Sequence, residues 1–127
     1  NLILNACDAM AHSDPGDRLL TIASALTPRG LVQLSVSDEG IGISEARLEQ
    51  IFEPFVSTKE NGLGLGLAIS RSIIMAHGGR LWAVSNVGRG ATFFLELDPT
   101  DTESTTLMHA GGEEARAASP LSPAGTR

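Results

Sequence analysis

A single cysteine, Cys7, leaves no partner for an internal disulfide and excludes a cysteine-rich zinc site. It reads as a small buried residue of the first helix. No apolar run approaches the length that spans a bilayer, and no basic region leads into an apolar segment and a small-residue cleavage site. Nothing in these residues therefore sends the chain out of the cytoplasm. Basic charge is also scarce. Nine Lys and Arg stand against 15 Asp and Glu, a net charge of −6, and the basic residues are scattered singly from Arg18 to Arg127, which argues against a nucleic-acid partner. Aromatics make up only 4% of the 127 residues, but 42% are apolar, as in an ordinary single-domain α/β core. There is no initiator Met. The chain opens Asn-Leu-Ile-Leu, already in helical periodicity, and reads as a piece of a longer protein.

What is present is ordered punctuation. Residues 1–10 have helical spacing, with Asn1, Asn5 and Asp8 on one face and Leu2, Ala6, Ala9 and Met10 on another. Asp14-Pro15-Gly16-Asp17 is a turn, followed by strands over 18–25 and 31–37 around a bend at Thr27-Pro28-Arg29-Gly30. Ser44 is placed to cap a short helix to about Ile51. A second helix is expected from near Gly64 to His77, with Gly78 just past its end, and a hairpin over 80–86 and 91–97. From Pro99 onward the chain has few aliphatics and no aromatic residue, so 99–127 is expected to be a disordered tail or linker.

Four features could carry chemistry. The carboxamide of Asn5 is a hard oxygen donor suited to Mg²⁺, although a solvated polar helix face has the same pattern. Asp38 ends a strand just before Gly40 and Gly42; its carboxylate could accept a hydrogen bond from an exocyclic amine, or the stretch could be a plain turn. Gly62-Leu63-Gly64-Leu65-Gly66 runs straight into a helix, where free N–H groups and the positive dipole end suit a polyanion. The run matches neither the P-loop pattern nor G-x-G-x-x-G, and a hinge remains open. Lys59, in the short loop 56–61, could reach a terminal phosphate or simply be solvated. Phe52 and Phe55 are expected to anchor that loop by packing.

Together these stretches resemble the ATP-binding domain of sensor histidine kinases, within the gyrase, chaperone, histidine kinase and MutL superfamily. NLILNACDAM (1–10) is similar to the N box, DEGIGI (38–43) to the first glycine box, IFEPFVSTK (51–59) to the F box, and GLGLGLAIS (62–70) to the second glycine box. GRGATFFLEL (88–97) is similar to the closing turn and strand. The resemblance covers 1–98. It implies an α/β two-layer sandwich of helices on a mixed β-sheet, truncated at its N-terminus, with ATP and Mg²⁺ as cofactors. It also implies that Asn5 ligates Mg²⁺ and that Asp38 binds adenine N6. The backbone around Gly40, Gly42, Gly62, Leu63, Gly64, Leu65 and Gly66 would enclose base and phosphates, Lys59 would offset γ-phosphate charge, and Thr92 would support Asp38 through water. Residues 56–61 would be a short lid.

ATP-hydrolysing members of the superfamily usually carry a basic Glu four residues before the metal-binding Asn. Here that residue is Asn1, whose amide cannot act as a base, which favours transfer to a histidine. The accepting histidine, its dimerisation domain and the strands before the N box are expected to lie outside this piece. None of His12, His77 and His109 is followed by an acidic residue. By the same resemblance the partners are ATP, a histidine-containing dimerisation domain and a response regulator receiver domain, in a homodimeric parent whose sensing region and any membrane anchor lie elsewhere. An inactive nucleotide-binding signalling module and an ATP-hydrolysing relative are the alternatives.

Overall fold

The computed structural model describes residues 1–57 and 62–99. Residues 58–61, with Lys59 and most of the expected lid, and residues 100–127, nearly all of the expected tail, lie outside the described residues. Helix α1 (Leu2–Ala9) buries Ala6, and Met10 is buried at its end. Beyond it the Arg18 guanidinium donates to the carbonyls of Ser13 (3.0 Å) and Ala11 (3.1 Å), placing a cation where exposed helix-end carbonyls favour one. Cys7 is exposed rather than buried. It shares with Ile3 and Leu4 a helix face that is turned away from the sheet.

Strands β1 (Leu20–Leu26) and β2 (Val32–Asp38) form a hairpin whose turn is closed by Leu31 N–H donating to Thr27 Oγ1 at 3.1 Å. The helix expected to follow Ser44 is instead two 3₁₀ turns, Glu45–Arg47 and Gln50–Phe52. Ser44 makes no side-chain cap bond to nucleate a longer helix, and the break between the turns lets Phe52 drop into the core. Helix α2 (Gly66–Ala76) ends in a Schellman motif: Gly79 N–H donates to Ile74 O, Gly78 N–H donates to Met75 O, and Gly78 sits at φ 69°. Strands β3 (Arg80–Ser85) and β4 (Ala91–Leu97) form the closing hairpin.

The four strands lie in the order β1-β2-β4-β3, and every pairing is antiparallel. The two-layer α/β arrangement is as expected, but the sheet is not mixed over the described strands. The physical reason is the crossover from β2 through α2, which sets β3 down one place away. β4 then fills the gap, so what would be one parallel pair becomes two antiparallel ones. Among the described residues, helices cover one face of the sheet. Phe52, Leu81, Ala91 and Phe93 form the core, joined by Leu2 from α1 and by Leu67 and Ile74 from α2, with Phe52 edge-on to Phe93 at 6.3 Å. The outer face carries Trp82 stacked on Phe94, with Arg80 over the indole. β1 is an edge strand, and its Ile22 and Leu26 are exposed.

Candidate functional site

Helix α1 is the piece that joins the candidate residues. At one end Asn1 donates through Nδ2 to Ser70 Oγ of α2 at 2.9 Å, and its carboxamide lies against Gly66, where an added Cβ would come within 2.9 Å of it. At the other end, the Ala9 carbonyl accepts from Ile41 N at 3.1 Å, and a Cβ on Gly40 would sit 2.5 Å from that same oxygen. Residues 1, 5 and 9 share one helix face, so half-buried Asn5 lies between the start of α2 and the loop after β2. From Asn1 to Ala9 the axis rises about 12 Å.

The loop end is built around Asp38, which is only 2% exposed. Leu34, Val36 and Asp38 alternate onto the helix-facing side of β2, so the strand delivers a carboxylate to the edge of the core. Its Oδ1 accepts from Gly40 N at 2.8 Å, which fixes the side chain over its own turn. Among the described residues Oδ2 has no hydrogen-bond partner. Gly42, at φ 73°, packs against the Gly90 backbone, so the first glycine loop and the closing hairpin touch.

The other end is the glycine run. Gly62 and Leu63 are exposed, and Leu65 stands at the N-cap position of α2 without a side-chain cap. Among the described residues no side chain caps the first N–H groups of the helix, the position at which an anion is favoured. Gly64, at φ 65°, accepts from Phe55 N at 3.0 Å, and a Cβ there would strike the Phe55 and Val56 backbone. Gly66 opens α2 with its Cα turned to α1, and a Cβ there would meet the Asn1 side chain. Phe52 packs as expected. Phe55 does not: it holds a left-handed backbone (φ 68°) to make its bond to Gly64, and its ring is 78% exposed.

One helix face thus meets Gly66 at one end and Gly40 at the other, with Asn5 between them; Asp38 and Gly42 flank Gly40 in the chain, Gly64 and Leu65 lead into Gly66, Gly62 and Leu63 are exposed, and Lys59 lies outside the described residues. Thr92 is buried beside β2, opposite Ser37. Its hydroxyl oxygen is 2.7 Å from Asn86 Oδ1 and 2.8 Å from Ser37 Oγ, and its connection to Asp38 runs through Asn86. Ser37, Asn86 and Arg89 are polar neighbours to which the sequence alone assigns no role. The signal for Asn86 was a buried strand end that needs a donor close to a glycine turn. Arg89 donates to Glu39 (2.8 Å) and to Asp17 (3.2 Å); these bonds, first to Glu39 and then to Asp17, raise its pKa and hold it as a cation. An open apolar groove of about 400 Å³ on the outer side of α2, lined by Pro54, Ile69 and Ile73 among others, meets this site only at Leu65.

Residues 1–101 match the family model for histidine kinase-, DNA gyrase B- and HSP90-like ATPases. The sensor protein FixL of Bradyrhizobium diazoefficiens is 44% identical over 101 residues, which are 80% of this chain and 20% of FixL. Full-length ShkA in complex with AMPPNP aligns with a TM-score of 0.62 at 33% identity, over 76% of this chain and 20% of that one. Histidine kinase ThkA in complex with the response regulator TrrA aligns with a TM-score of 0.63 at 34% identity, over 81% of this chain and 28% of ThkA. The chain thus spans about a fifth of the length of curated relatives such as FixL.

Proposed function

The chain belongs to the histidine kinase-, DNA gyrase B- and HSP90-like ATPase family, and from that premise we propose that it binds Mg-ATP along α1 and donates the γ-phosphoryl group to a histidine on a separate domain. One observation carries the reading: a single helix face joins a buried carboxylate, one oxygen of which has no hydrogen-bond partner among the described residues, to a glycine-led helix start that none of their side chains caps. Asp38 takes the adenine amine, and the loop at Gly40 and Gly42 passes close beneath the base. The N–H groups opening α2 take the phosphates, with Gly62, Leu63, Gly64 and Leu65 as the flanking backbone. Guanine presents an acceptor where adenine presents its amine, and a buried mismatch of this kind discriminates by about 10⁴-fold.

Among the described residues no group of three or more His, Cys, Asp or Glu could cage a metal. A lone carboxamide oxygen suits Mg²⁺, which is commonly held by few protein oxygens with waters and phosphates completing its shell. Asn5 would supply the protein oxygen. When bound, the metal would neutralise charge developing on the phosphates. Lys59, by its place in the chain between Ser57 and the glycine run, offsets γ-phosphate charge as a point cation.

In the transfer, an imidazole nitrogen of the acceptor forms the P–N bond as the bond from Pγ to the β,γ-bridging oxygen breaks, and ADP leaves with those electrons. The chain's own part is to position and to stabilise charge. Asn1, whose amide is engaged with Ser70, offers no base for activating water, so an acceptor with its own nucleophilic nitrogen is the fitting partner. In the parent protein the phosphoryl group then passes to a receiver-domain aspartate. The test is to incubate the chain with γ-labelled ATP and the parent's histidine-containing domain. Acid-labile, base-stable label on that domain is expected. Steady phosphate release without an acceptor would support the hydrolysing alternative, and nucleotide binding without either reaction would support an inactive module.

A further inference from the structure

The closing hairpin turn touches the base end of the site at three points. Gly90, at φ 82°, passes so close to Asp38 that an added Cβ would overlap the Asp38 carbonyl oxygen. Arg89 grips the next residue, Glu39. Between them, Asn86 Nδ2 donates to the Asp38 carbonyl at 3.1 Å and lies 3.3 Å from Ser37 Oγ. The register of β2 with β4 ends at Ser37 opposite Thr92, so Asp38 stands one residue beyond that ladder.

The proton positions follow from the donor inventory. A carboxamide oxygen only accepts, so Thr92 donates its hydroxyl proton to Asn86 Oδ1 at 2.7 Å, and the Ser37 hydroxyl donates to Thr92 at 2.8 Å. Asn86 in turn offers Nδ2 to Ser37 Oγ, which closes a ring of three side chains. Within that ring the amide has one orientation: Oδ1 toward Thr92 and Nδ2 toward Asp38.

We propose that Asn86 is a positioning residue for base recognition, holding the Asp38 backbone so that Asp38 Oδ2 faces the purine 6-position. The Asp38 side chain is fixed by its bond to Gly40, so its direction is set by where the backbone sits. Asn86 sets that backbone from the β4 side. The inference rests on the reading of Asp38 as the partner of the base.

The test compares ATP with purine riboside triphosphate, which lacks the 6-amino group, in calorimetric titrations of the 127-residue chain. The wild type should prefer ATP by about 10- to 100-fold, the range for one hydrogen bond to a charged group. Asn86→Ala should bring that ratio close to one while the affinity for purine riboside triphosphate stays within about threefold of wild type. Asn86→Asp keeps the shape and the acceptor for Thr92 but lacks the donor, so it should lose the ratio too, and it carries the test if the alanine variant does not fold. Thr92→Ser should retain the preference and Thr92→Val should lose part of it. A wild type without preference would overturn the reading of Asp38 itself. A wild-type preference that survives in both Asn86 variants, with only the melting temperature lowered, would overturn the role of Asn86 and leave Asp38 standing.

Discussion

Asp38→Asn separates the two jobs assigned to one carboxylate. Oδ1 accepts from Gly40 N–H at 2.8 Å, and an asparagine oxygen can do the same. With the oxygen committed there, the asparagine NH₂ takes the place of Oδ2 and meets the adenine amine donor to donor. The lost charge-assisted bond is worth about 1.5–3 kcal/mol, and the unsatisfied pair costs about 1–3 kcal/mol more. Together they weaken ATP by about 10²- to 10⁴-fold. Inosine triphosphate carries an acceptor at the same position and should gain, so the order of the two nucleotides reverses. The fold should register little, because the turn keeps its hydrogen bond. Asp38→Ala, by contrast, strands the buried Gly40 N–H and should lower stability by about 1–3 kcal/mol. The assay is calorimetric titration of both nucleotides alongside thermal melts of the two variants. Unchanged ATP affinity in Asp38→Asn would refute the reasoning, and so would an equal fall for both nucleotides.

Asn5→Ala should keep part of the nucleotide affinity but lose its dependence on magnesium, as read by ATP titration with and without the metal; a full magnesium response in the variant would remove Asn5 as the ligand. Gly66→Ala places a methyl 2.9 Å from the Asn1 carboxamide. It should weaken ATP binding more than it lowers the melting temperature, and adding Asn1→Ala should restore part of the loss, since the crowding is with that side chain. Gly40→Ala drives a methyl into the Ala9 carbonyl and threatens the Ile41 to Ala9 bond. It should cost about 1–3 kcal/mol in denaturant melts by overpacking, with ATP affinity falling alongside.

The parts of the fold legible in the sequence were those governed by local rules. Gly78 ends α2 because the left-handed position at a helix terminus favours glycine, and Asp38 reaches the core edge because strand alternation puts it on the face of Val36. What escaped depended on partners distant in the chain. Cys7 is exposed because α1 has two apolar faces and the sheet covers one of them. Phe55 turns outward because its backbone is tied to Gly64, a constraint that its apolar ring does not advertise. Gly66 answers to Asn1, some 65 positions earlier in the chain, and Asn86 answers to Asp38, 48 positions away. In both cases the residue type suits the place, but only the tertiary contact says which neighbour it serves.

A crystal structure of the chain with AMPPNP and magnesium would show whether nucleotide lies along α1. The adenine amine should lie within hydrogen-bond distance of Asp38 Oδ2, the metal on the Asn5 carboxamide oxygen, and the phosphates at the N–H groups that open α2. A nucleotide seated in the apolar groove outside α2, or a base that leaves Asp38 untouched, would contradict that placement.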